Sequence, residues 1–241
     1  MAETVRSAAA KAAADAGLRT FYGHVFAVMA FGLAISGATA FWAMSSPDVM
    51  SWFVSNSGTA KASLTGTWIV VALAELGLVF LISSWIRKND LNATTGLLTF
   101  TVYAALTGLT TAPALDLYTT TSVAKVFFIT AATFGACAFY GYTTKRDLLP
   151  MGSFLLMGLI GLIVAMVVNM FLRSPMMDYL VCGIGVLIFA GLTAWDMQLL
   201  RELYRQGGNT VGLVINGALA LYLDFLNLML LLLRVFGVRK D

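Results

Sequence analysis

The chain has 241 residues, of which 59% are hydrophobic and 11% charged, and its net charge is +3. A soluble domain carries about 25% charged residues, so most of this chain faces something other than water. The charge is too small and too dispersed for a nucleic-acid binder. Apolar stretches of roughly 20 residues exclude an outer-membrane barrel, whose strands are about 10 residues of alternating polarity.

Residues 1–20 are polar and Ala-rich (Ala8-Ala9-Ala10-Lys11-Ala12), without the apolar core of a cleavable signal. They read as a cytosolic tail, and the first apolar segment then acts as its own insertion signal. Residues 21–241 read as one all-α membrane domain with spans at 21–44, 66–86, 95–113, 122–142, 151–171, 177–199 and 211–236. The gaps carry turn chemistry: Ser45-Ser46-Pro47, Asn89-Asp90, Pro113, Pro150, Ser174-Pro175 and Gly207-Gly208-Asn209.

His24, the single histidine, opens the first span and reads as an interfacial residue; with one histidine a two-His metal site is excluded. The third span is rich in hydroxyls (Thr94, Thr95, Thr99, Thr101, Thr107, Thr110, Thr111), which bond their own backbone or a neighbouring helix. Cys137 and Cys182 lie in apolar runs and read as packing residues, not a disulfide or zinc framework.

Lys and Arg in short loops set the orientation. With the N-terminus inside, the inner segments hold Arg6, Lys11, Arg19, Arg87, Lys88, Lys145, Arg146, Arg201 and Arg205. The outer ones hold Lys61, Lys125 and Arg173, plus Arg234, Arg239 and Lys240 at a C-terminus that seven spans leave outside.

Ionisable groups at membrane depth are costly and mark function. Glu75 in the second span, Asp196 in the sixth and Asp224 in the seventh qualify; Arg87, at the cytosolic end of the second, is the nearest cation. Asp196 precedes Arg201 and lies about 7 Å inside the cytosolic boundary if that boundary falls at Arg201. A seventh span entering the membrane at Val211 would place Asp224 about 20 Å deep, beyond reach. Entry near Asn216, an N-cap, with 207–215 as a loop or interfacial segment, brings it to about 12 Å and makes a dyad possible. Asn216, Ala220, Asp224 and Asn227 form one stripe. Cys182, Gly185, Phe189 and Asp196 share a face, and Gly185 lets helices approach closely. Two carboxylates in contact at low dielectric share a proton. Deprotonated, they repel or recruit a cation. Oxygen ligands suit calcium, though two carboxylates fall short of its usual six to eight oxygens.

Three segments carry a family resemblance. They are Tyr140-Gly141-Tyr142-Thr143-Thr144-Lys145-Arg146-Asp147-Leu148, Gly191-Leu192-Thr193-Ala194-Trp195-Asp196-Met197-Gln198 and Ala218-Leu219-Ala220-Leu221-Tyr222-Leu223-Asp224-Phe225-Leu226-Asn227. Together, over about residues 20–237, the chain resembles the Bax-inhibitor family (transmembrane Bax inhibitor motif proteins), in particular its bacterial inner-membrane branch. The resemblance implies seven helices, the last central and wrapped by the other six. It implies a pH-sensitive calcium leak channel. Asp196 and Asp224 match the family's gating aspartates, and Trp85-Ile86-Arg87 matches its latching arginine. Glu75 resembles its earlier acidic residue, with the spacing to the arginine one residue off. The long charged tail of animal relatives has no counterpart in Gly237-Val238-Arg239-Lys240-Asp241.

Two function classes follow. In the first, calcium and protons are the ligands, Glu75 and Asn227 line the path, Asp196 and Asp224 gate it and bind calcium in transit, and Arg87 latches the pair. Protonation removes repulsion within the dyad but weakens the Arg87 bridge, so the two effects oppose. In the second, the chain is a non-conducting regulator, partner of a membrane-embedded quality-control protease. An intramembrane aspartyl protease is disfavoured, because Leu221-Tyr222-Leu223-Asp224 stands where Gly-x-Gly-Asp is required and Pro113-Ala114-Leu115 precedes the aspartates. No enzyme motif or cofactor is expected.

Overall fold

A computed structural model describes the backbone of residues 2–55, 63–87 and 92–240, and their side chains apart from residues 2–14, 63, 83 and 85–87. The described chain is helical almost throughout. Helix α1 (Ala2–Ser45) runs unbroken from the Ala-rich start, so the polar tail expected over 1–20 is helical and continuous with the first apolar segment. Alanine is the best helix former, which accounts for the absence of a break. α1 stops because Ser46 precedes a proline and takes an extended conformation (φ −117°, ψ 99°). Pro47 then opens a short helix, α2 (Pro47–Phe53), which buries Val49, Met50 and Phe53. A two-residue ladder follows, β1 (Val54–Ser55) against β2 (Ser63–Leu64). The sequence alone suggests only a connection between spans here.

α3 (Gly66–Arg87) and α4 (Ala93–Asp116) come next. α4 is capped by Asn92, whose Oδ1 accepts from the Thr95 N–H at 2.8 Å. It runs through Pro113, where the sequence suggests an end, because the proline falls in the final turn. α5 (Thr120–Thr143) starts on the Thr119 cap. α6 (Met151–Leu172) ends at Arg173, held left-handed at φ 50° with its N–H on the Asn169 carbonyl at 2.7 Å.

α7 (Pro175–Gly207) corrects the expected end at 199 by two turns. Gly208, at φ 72°, makes the reversal, and its N–H reaches the Tyr204 carbonyl at 2.7 Å. α8 (Val211–Phe236) begins directly after Thr210, which accepts from the Leu213 N–H at 3.2 Å. The helix therefore starts before Asn216: Thr210, not Asn216, supplies the cap, and 211–215 is helix rather than loop.

Among the described residues, six helices are long and apolar enough to cross a membrane, and α3 adds a shorter apolar stretch over Gly66–Ile82. Along their most apolar stretches α8 is 56% buried and α6 only 11%, so of these six α6 presents itself most fully to lipid.

The chain divides into two units, residues 1–113 with 200–219 and residues 114–199 with 220–241. Lipid tails are as apolar as leucine, so helices in each unit are joined by small residues and hydroxyls. In the first unit the Ser36 hydroxyl donates to the Ala104 carbonyl at 2.7 Å, and Gly108 lies so close to the Ser36 backbone that no Cβ fits. At the hairpin end, Phe21 stacks on Tyr204 with centroids 5.1 Å apart, and Gly217 accommodates Leu200. In the second unit Phe225 of α8 sits edge-on to Phe127 and Phe134 of α5 at 5.5 and 5.6 Å. Gly185 admits Leu231 of α8 and Leu162 of α6, which is the close approach its place on the span implies.

Candidate functional site

Asp196 and Asp224 meet inside the second unit, with their carboxyls in hydrogen-bond contact. The α7–α8 hairpin explains why. Asp196 stands about 17 Å along the axis from the end of α7, and Asp224 about 20 Å from the start of α8. The two arms are nearly equal, so antiparallel packing brings the acids level. Arg201, which reads as a loop boundary in the sequence, is a mid-helix residue.

Asp224 is 5% exposed and Asp196 half-buried. The Thr193 hydroxyl, fully buried one turn before Asp196, lies against the Asp224 carboxyl and donates to the Phe189 carbonyl at 2.8 Å. Asp224 Oδ2 is buried and finds no donor among the described residues. An orphaned buried acceptor is costly, and a proton carried by Asp196 would supply the missing donor. The pair opens on a cavity of about 480 Å³ between α6, α7 and α8. Phe189, Ala220 and Asn227 line it as the two stripes imply, although Asn216, Cys182 and Gly185 do not. The Asn227 amide donates to the Leu223 carbonyl at 2.8 Å and leaves its oxygen available.

The stretch of α7 around Asp196 does more than hold an acid. Ala194 receives the backbone of α5 at Gly141, where no Cβ fits. The Trp195 indole covers Gly152 and donates to the Leu149 carbonyl at 3.3 Å. Gln198 clamps the α5–α6 turn, donating to the Arg146 carbonyl at 2.8 Å and accepting from the Leu148 N–H at 2.5 Å. Sequence reasoning misses both Thr193 and Gln198. The signal for Thr193 is its place three residues before Asp196 on the same face.

Glu75 belongs to the first unit, where it joins α3 to α4. The Thr110 hydroxyl donates to its carboxylate at 2.7 Å, Thr107 adds a second bond, and the Trp68 indole donates to the Thr110 carbonyl at 2.9 Å. The threonine-rich span thus does both things open to it, since Thr99, Thr101 and Thr111 bond their own helix. Replacing Thr110 by valine is expected to lower stability in detergent by about 1 kcal/mol, the net worth of one intramolecular hydrogen bond. Thr101→Val, at an exposed site, should change the thermal midpoint little; equal effects of the two would refute the Glu75 tie.

The other candidates fall as follows. The side chains of Trp85, Ile86 and Arg87 lie outside the described residues, and so therefore does the latch. His24 is exposed on α1 and faces a separate cavity in the first unit with Asn209 and Val211. Cys137 and Cys182 are free thiols. Among the described residues no three His, Cys, Asp or Glu side chains gather, so the dyad offers calcium two carboxylates at a time.

Long apolar helices packed through glycine, with an acid pair enclosed between two of them, define a multi-span integral membrane protein. The chain belongs to the family described as "Inhibitor of apoptosis-promoting Bax1", which matches residues 18–241. It is 42% identical to the inner membrane protein YbhL of Escherichia coli K12 over 230 residues, covering 93% of this chain and 94% of that one. An uncharacterized Caulobacter vibrioides protein is 42% identical over 231 residues (94% and 92%). An uncharacterized membrane protein of Streptococcus pyogenes is 35% identical over 229 residues (94% and 96%).

Proposed function

We propose that this protein is a pH-sensitive calcium (cation) leak channel whose gate is the Asp196–Asp224 pair. In this reading it has seven spans with α8 central among the other six, and its N-terminus is cytosolic. The inner membrane of a bacterium is its home, in line with the name of its E. coli relative. One observation carries the proposal: a buried carboxylate oxygen without a donor among the described residues, in contact with a second carboxyl and facing a cavity.

With one proton on the pair, Asp196 donates to Asp224 and the two helices are tied. With none, two like charges at ~4 Å repel by about 4 kcal/mol at an effective dielectric of ~20. Either the helices part or a cation enters to bridge them. Calcium suits that role, because two carboxylates with Thr193 and Asn227 nearby give it oxygens to pass across but too few to hold it. Glu75 provides a further carboxylate on the path, and Arg87 is the latch that competes with calcium for the pair. In this reading the protein acts as a channel rather than an enzyme and calls on no cofactor.

Calcium uptake into liposomes holding the purified protein, at a series of pH values, tests the reading. A pH-dependent flux above that of empty liposomes is expected. No flux from folded protein would overturn it in favour of a non-conducting regulator that partners a membrane-embedded quality-control protease.

A further inference from the structure

A second cavity, also about 480 Å³, opens at the other end of the second unit, where α6, α7 and α8 begin or end. Three arginines line it, Arg173, Arg234 and Arg239, against one acid, Asp178. Arg234 spends part of its charge on Asp178 at 3.4 Å. Arg173 has no ion-pair partner among the described residues, and Arg239 lies over the Tyr118 ring at 6.0 Å. The excess is two positive charges in one polar recess.

The recess is built, not incidental. Arg239 is seated by backbone bonds: the Lys240 N–H donates to the Leu117 carbonyl at 2.9 Å and the Thr119 N–H to the Val238 carbonyl at 3.0 Å. Arg173 is fixed at the C-cap of α6 in a left-handed conformation, φ 50°, which a side-chain-bearing residue adopts at a cost. Around the recess, Phe171, Met176, Tyr179 and Phe236 expose most of their apolar surface. Guanidinium forks match phosphate oxygens in pairs, and an apolar rim around a basic recess at helix ends matches a lipid whose tails lie beside the protein.

We infer that this three-arginine recess binds the phosphate of an anionic phospholipid headgroup. Arg173 and Arg239 lie away from the acid pair, whose cavity Arg234 also borders, and the site accounts for the basic C-terminal end of the chain.

Native mass spectrometry from neutral detergent, with phosphatidylglycerol or phosphatidylcholine titrated in, tests this. The wild type should retain phosphatidylglycerol more tightly than phosphatidylcholine. Arg173→Gln and Arg239→Gln should each weaken that binding roughly five-fold, while phosphatidylcholine binding and the thermal midpoint hold. Arg205→Gln, at the opposite end of α7, should leave it unchanged. Retention of inorganic phosphate by the wild type and not by the two variants, without preference for phosphatidylglycerol, would keep the phosphate site and name free phosphate as its source. Equal binding of phosphatidylglycerol by wild type and both variants would overturn the inference.

Discussion

Asp224→Asn is expected to abolish the pH step in calcium flux while leaving a folded protein. Asparagine keeps the shape of the side chain and adds a donor, so its amide ties to Asp196 at every pH. The wild-type pair changes from tied to repelling when one proton leaves. About 4 kcal/mol of repulsion corresponds to roughly a thousand-fold in the balance between joined and parted helices. The variant lacks that repulsion, and its flux ratio between acidic and alkaline buffers should fall towards one. Asp196→Asn should do the same, because a shared proton belongs to neither partner alone. The double variant should resemble the singles rather than add to them. Wild-type pH dependence in either single variant would remove the pair as the proton sensor, even if the protein conducts.

A large effect on folding is expected from a change of one methyl group. Gly141→Ala places a Cβ into the Ala194 backbone of α7, and backbone cannot swing aside as a side chain can. Overpacking of this kind costs about 1–3 kcal/mol or forces the helices apart. Gly135 on the same helix has open space within 4 Å of the point where a Cβ would stand, so Gly135→Ala should be neutral or stabilising by up to about 1 kcal/mol. The thermal midpoints of the two variants in one detergent give the comparison. Equal midpoints would mean that α5 and α7 are not in backbone contact at Gly141.

Hydropathy alone locates the apolar helices, since a charge-poor run of span length fits little besides a membrane. The cost of burying carboxylates picks out Glu75, Asp196 and Asp224, and helical spacing puts Phe189, Ala220, Asp224 and Asn227 on the faces that line the cavity. The helix ends are less legible. Arg201, Glu202 and Arg205 read as loop because hydropathy reports affinity for lipid, whereas α7 keeps its helical hydrogen bonds out to Gly207. That error displaces the start of α8 and makes the dyad look dependent on a later entry. α2 and the β1–β2 ladder are too short to carry a period. Partnerships across sequence, such as Thr110 with Glu75 or Gln198 with the Arg146–Leu148 turn, leave no local trace at all.

The crowding of α7 between Thr193 and Gln198 limits how this protein can be retuned. Its residues there are committed in turn to Asp224 (Thr193), to α5 (the Ala194 backbone), to the start of α6 (Trp195) and to the α5–α6 turn (Gln198). A substitution at Ala194, Trp195 or Gln198 therefore disturbs the packing that holds Asp196 in place, unlike the isosteric Asp196→Asn. The facing positions on α8, Ala220 and Asn227, border open space. Under the proposed channel reading, Ala220 and Asn227 can be changed without touching those frame contacts, so the stretch of α7 from Ala194 to Gln198 is frame and the α8 face opposite it is a dial.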